Sequence, residues 1–267
     1  MIPALALLAL LAASPAPAPH VSLDEARRAL AAGRVDQAGE MIAAARRNGM
    51  SGEALQRLEA DQALAKGDHE HALSLYGALL KTHPNEAALL ERAGRAALRS
   101  GRLDEATAFL DRATMIPGAG WSAWNLRGVA ADRRKAFDEA DSAYARAASL
   151  APTEAAIANN RGWSLMLRGR WSEAEALFVR GLQQDPRVAH GAANLELARV
   201  AMAGELPARN AGESDSAFAA RLNDVGVVAA ATGDRARAIA AFTRAIDSRS
   251  RYYERAAENL KQIAEAK

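Results

Sequence analysis

From Val21 onward the apolar positions recur at three- and four-residue steps, and no stretch alternates as a strand would. Columns of like residues set the register. Ala38, Ala72, Ala106, Ala140 and Ala174 are each 34 residues apart, and Gly33, Gly67, Gly101 and Gly169 keep that step, with Lys135 in the fourth place. A third column, Ile42, Tyr76, Leu110, Tyr144 and Phe178, puts a large side chain four residues after each alanine. Pro84, Pro152 and Pro186 close three units, and Pro117 stands one residue early for another. Each column has a physical task. Glycine allows the positive φ of a turn between two helices, and alanine lets the second helix approach the first. The large residue one turn later fills the adjoining gap, and proline cannot continue the second helix. Neither helix of such a pair can bury its apolar stripe alone, so the pairs must stack.

On this register the units run Pro19–Met50, Gly52–Pro84, Asn85–Gly118, Gly120–Pro152 and Thr153–Pro186. The step then fails. His190–Met202 reads as a further first helix, with Asn194 and Leu195 echoing Asn160, but Gly204–Asp215 (GELPARNAGESD) reads as a loop where a second helix belongs. This segment is either a partner-contacting loop or a decayed repeat. Ser214 or Asp215 is an N-cap for the next helix, and Gly226, Gly233, Ala238, Phe242 and Ala245 mark a last unit. A closing helix from Tyr252 has Ala256, Leu260 and Ile263 on one face.

The stretch Trp121–Pro152 carries a family pattern. Trp124, Leu126, Gly128, Ala140, Tyr144, Ala147 and Pro152 resemble the tetratricopeptide repeat, whose unit is about 34 residues. Leu126 lies two residues before Gly128 instead of next to it, and Lys135 replaces the turn glycine. The resemblance implies an all-α fold, a right-handed superhelical α-solenoid of helix-turn-helix repeats. The expected organisation is a signal peptide at 1–18, five repeats over 19–186, a degenerate repeat with its loop over 187–217, a final repeat over 218–252 and a capping helix over 253–267.

Composition changes the picture in three ways. Half of the 267 residues are apolar but few are aromatic, which suits close-packed helices. The formal net charge of +2 is a small difference between 34 basic and 32 acidic residues, and no basic block is interleaved with aromatics, so no nucleic-acid partner is expected. There is no cysteine, which excludes disulfides, thiolate metal sites and an N-terminal lipidated cysteine. Residues 1–20 carry no Asp, Glu, Lys or Arg, and Ile2–Ala13 is an apolar run of signal-peptide length, too short for a membrane span. No basic residue precedes it, and cleavage after Ser14 or Ala18 fits the small residues there. A periplasmic or secreted location is therefore expected, with the cytoplasm as the alternative.

No catalytic constellation is evident, so an enzyme is not expected. Phosphate loops, metalloprotease helices and nucleophile elbows are missing, and His69 and His71 are spaced so that they point to different faces. No cofactor and no metal site are expected. The family resemblance implies instead a concave groove lined by first helices, which takes an extended peptide or a partner helix. Carried over place by place, it gives one column of Arg57, Glu91, Asn125, Asn159 and Asn223, and another of Asp61, Arg95, Val129, Trp163 and Leu197. Asn125 and Asn159 would bond a ligand backbone. Trp121, Trp124 and Trp171 fall at packing places, whereas Trp163 either anchors a ligand in the groove or packs on the next unit's first helix. The resemblance implies an interaction scaffold similar to accessory proteins of Tad/Flp pilus assembly and secretion. The rival readings are a cytoplasmic co-chaperone-like adaptor and a non-catalytic subunit of an envelope polysaccharide or peptidoglycan enzyme.

Overall fold

The computed structural model describes residues 22–248 and 253–265, so the export segment expected at 1–18 lies outside the described residues. Among the described residues there are fourteen α-helices and no strand. The chain divides into two units, Met1–Thr82 and His83–Lys267. The first holds α1 (Leu23–Ala31), α2 (Val35–Arg47), α3 (Glu53–Lys66) and α4 (His69–Thr82). The second begins with three antiparallel pairs: α5 (Ala87–Arg99) with α6 (Leu103–Met115), α7 (Trp121–Arg133) with α8 (Phe137–Leu150), and α9 (Ala155–Met166) with α10 (Trp171–Gln184). A single helix follows, α11 (Gly191–Ala203), and then the pair α12 (Asp215–Ala231) and α13 (Arg235–Asp247), and finally α14 (Glu254–Glu265).

The repeat columns account for the pairing. The five column alanines are fully buried, as is Ala238 in the last pair. The turns use one geometry throughout. Gly33, Gly67, Gly101, Gly169 and Gly233 have φ between 72° and 85°, and the amide after each donates back across the helix end, as Arg102 N does to Ala97 O at 2.9 Å. Lys135 makes the same turn with a side chain, at φ 60°, and Ala136 N donates to Ala131 O at 2.9 Å. A lysine there sits in the left-handed region at a steric cost that the five glycines avoid.

The large column residue of each second helix presses on the first helix of its own pair. Tyr144 and Phe178 lie so close to Gly128 and Gly162 that a Cβ at either glycine would stand 2.6 Å from the ring. Ala60 holds the matching place opposite Tyr76, and both are fully buried. Between pairs, α11 has no second helix of its own and is enclosed by α9, α10 and α12, with Leu197, Ala198 and Ala201 in a shared core. The 204–214 segment that replaces the missing helix is held by two arginines. Arg221 reaches Glu213 (2.7 Å), Glu196 (2.6 Å) and the Ala208 carbonyl (2.7 Å), and Arg237 donates to the carbonyls of Val200 (2.9 Å) and Glu205 (2.7 Å). Ser214 caps α12, accepting from Ala217 N at 3.2 Å. No described helix is long and apolar enough to cross a membrane.

Candidate binding groove on the first helices

The first helices of the second unit lie side by side, and hydrogen bonds between asparagines join them. Asn160 Nδ2 donates to Asn125 Oδ1 (3.2 Å), Asn194 Nδ2 to Asn159 Oδ1 (2.9 Å) and Asn259 Nδ2 to Asn223 Oδ1 (2.9 Å). Asn125, Asn159 and Asn223 are buried. Their carboxamide oxygens are therefore engaged within the array, where a ligand's backbone was the expected partner. A buried amide left unpaired costs a few kcal/mol, so the ladder makes each helix specify its neighbour.

The other residues expected in the groove have varied surroundings. In the first unit, Arg57 pairs with Glu53 and Asp61 accepts from the Tyr76 hydroxyl at 2.6 Å. In the second, Arg95 is exposed and donates to Glu91 and to Ser122, each at 3.0 Å, which ties α5 to α7. Val129 and Trp163 are half-buried, Val129 beside Tyr144 and Trp163 against the core that α9 shares with α11 and α12. Leu197 corrects the expectation: it is 5% exposed and belongs to that core, because the unpaired α11 turns its apolar side inward. Trp121, Trp124 and Trp171 are also only half-buried, and Trp124 carries the Arg127 guanidinium 5.5 Å from its ring centre.

One turn beyond the Arg95, Val129 and Trp163 column lie Arg99, Arg133 and Leu167, again 34 residues apart. Arg133 and Leu167 line an open cavity of about 480 Å³ with Lys135 from the α7–α8 turn, Val227 and Ala231 from α12, and Ile263 from α14. The first helices thus curl until α7 and α14 border one space. The Arg133 guanidinium donates to the Leu98 carbonyl, and its pKa is pushed down by burial and then by Arg99 and Arg255.

Beneath this cavity is a buried polar knot. Asp132 accepts from Tyr144 Oη (2.8 Å) and Ser164 Oγ (2.6 Å) and is 5% exposed. Burial raises its pKa, the two hydroxyls and Arg168 opposing that, and burial together with Asp132 pushes Tyr144 well up. Arg168 grips Asp141 through two bonds (2.7 and 2.8 Å), which raises the guanidinium and lowers the carboxyl. It also donates to Ser164 Oγ at 3.1 Å and lies over the Phe137 ring. The donors are paired off and every group is joined to the array, so the knot fastens α7, α8 and α9 and offers no displaced nucleophile. Among the described residues no cluster of His, Cys, Asp and Glu could hold a metal.

Two family models, each described as a tetratricopeptide repeat, match residues 63–119 and 136–189. The chain carries tetratricopeptide repeats over these residues. No curated protein sequence matches it. Among solved structures it resembles a thermophilic tetratricopeptide protein of Thermus thermophilus, at 19% identity over 67% of this chain and 97% of the other, with a TM-score of 0.58. It resembles the Cut9–Hcn1 hetero-tetramer of the APC/C at 12% identity, over 93% of this chain and 50% of the other, with a TM-score of 0.64. PilW, described as a widely conserved type IV pilus biogenesis factor, matches at 16% identity over 91% and 96% with a TM-score of 0.54. At these identities the likeness establishes the fold. Such an array is a protein–protein interaction scaffold, and neither family model describes a catalytic domain.

Sequence reasoning missed two features of this tetratricopeptide array. The Arg99, Arg133 and Leu167 column was available from the same 34-residue step that gave Val129 and Trp163. The polar knot also had a signal: tyrosine at a place where other units have Ile, Leu or Phe brings a hydroxyl that needs an acceptor once buried.

Proposed function

We propose that the protein is an exported scaffold that holds a segment of another protein along the first helices of its second unit. The observation that carries this reading is the 480 Å³ cavity, open to solvent and walled by the same helix face that bears Val129 and Trp163. A surface whose backbone bonds are already satisfied within helices recognises a partner through side chains, and a half-exposed tryptophan is a common anchor. The apolar run of residues 2–13 supports export, and PilW is a fold relative described as acting in pilus biogenesis. Pilus assembly, secretion or envelope biogenesis is thus the proposed setting, with the partner a peptide segment or a helix.

The test is crosslinking in intact cells followed by purification, comparing the native chain with Trp163→Ala once both show the same helical circular dichroism. A partner crosslinked by the native chain and lost from the variant is the expected result. A cell fraction in which the chain is cytoplasmic and retains residues 1–18 would overturn export; an identical crosslink from both chains would remove Trp163 from the site.

A further inference from the structure

The cavity that supports the proposed scaffold also carries chemistry that narrows its partner, and this inference rests on that reading. Part of its lining is apolar, with Leu167, Val227 and Ile263 in it. Its rim is cationic. Arg133 and Lys135 line it directly, and Arg99 and Arg255 are close enough to Arg133 to push against its charge. Among the described residues no carboxylate forms an ion pair with Arg99, Arg133, Lys135 or Arg255, in a protein whose other arginines are mostly paired.

Nearby acids do not neutralise the rim. Asp132 also lines the cavity, but its two oxygens are taken by Tyr144 and Ser164. Asp141 is taken by Arg168. Asp224 is near enough to Arg255 to feel its charge but forms no ion pair with it. Like charges gathered on three helices repel one another, which disfavours the empty array and is relieved by an arriving anion.

We propose that this cavity binds an acidic peptide segment in which a large apolar side chain enters between Leu167, Val227 and Ile263 while flanking carboxylates meet the arginine rim. The concavity favours such a segment over a membrane surface, because a flat lipid face cannot reach a recess between helices. It favours a peptide over nucleic acid, because the two aromatic rings that line it are taken, Phe242 by burial and Phe137 by the Arg168 guanidinium over its face, which leaves none for a base. The site differs from the Asn ladder and lies one turn beyond the Trp163 column.

The test uses the full chain and a dye-labelled peptide in which glutamates flank a leucine, read by fluorescence anisotropy. Peptides with glutamine for glutamate, or alanine for leucine, serve as comparisons. Arg99 and Arg255 are exposed and bond to no other described residue, so Arg99→Gln/Arg255→Gln should fold as the native chain does. The expected result is binding that weakens roughly tenfold or more with the double variant, the glutamine peptide or raised salt, and also with the alanine peptide. Equal affinity for the glutamate and glutamine peptides would overturn the proposal, as would binding only to vesicles of phosphatidylglycerol. A neutral peptide bound through Trp163 and indifferent to the arginines would overturn the acidic class while leaving the scaffold reading intact.

Discussion

Tyr144→Phe removes one hydroxyl from a buried place and changes nothing in shape. Its consequence comes from Asp132, whose carboxylate then keeps a single hydroxyl donor, Ser164, where it had two. A hydrogen bond to a charged acceptor contributes about 1.5–3 kcal/mol, and a lone buried acceptor recovers little of that from water. The variant should therefore lose about 2 kcal/mol at neutral pH, which for an array of this size lowers Tm by about 5 °C. The sign with pH is a second check. Burial holds the folded pKa of Asp132 above its unfolded value. Its contribution to stability is thus fully present below about pH 3.9 and is lost as pH rises through the folded pKa. Where Asp132 is protonated, the Tyr144 bond is between neutral groups and weaker, so the gap between native and variant should shrink toward acid. Urea titrations of both chains from about pH 4 to about pH 8 measure this, and the difference between chains cancels the opposite trend of Asp141 and Glu213, whose pKa values arginines hold down. A gap below ~0.5 kcal/mol at neutral pH, or one that widens toward acid, would refute the reasoning.

Two further outcomes concern the turns and the loop. Lys135→Gly should stabilise the chain by about 0.5–1 kcal/mol, because relief of the left-handed strain exceeds the added freedom of the unfolded chain; a lower melting temperature would show that the Lys135 side chain contributes more than the strain costs. Arg221→Ala should free the 204–214 segment by removing its bonds to Glu213, Glu196 and Ala208, so limited proteolysis should cut there faster while the helical signal changes little. An unchanged cleavage rate would mean that Arg237 alone holds the segment.

The fold was legible because its determinants are local and repeated. A glycine that must turn, an alanine that must be approached and a large residue that must fill the gap recur at one spacing, so each copy corroborates the others. Lys135 shows the strength of that logic, since the structure gives it the positive φ that its place in the glycine column demands. The groove was legible only in part. Periodicity places a residue on a face, but it does not say whether the next helix covers that face. Asn125 and Leu197 occupy groove positions by register; one is engaged by Asn160 and the other is enclosed because α11 has no second helix of its own. Asp132 was invisible for a different reason: its partners Tyr144 and Ser164 come from two other helices, 12 and 32 residues away, so only packing brings them together. The same contingency creates the cationic cavity. Arg99 and Arg133 share a register, but Arg255 reaches them from α14, beyond the irregular segment, where the 34-residue step no longer runs. Sites built by the regular repeat can be read from the sequence; those built where the repeat is interrupted depend on how far the interruption lets the last helix turn back toward α7.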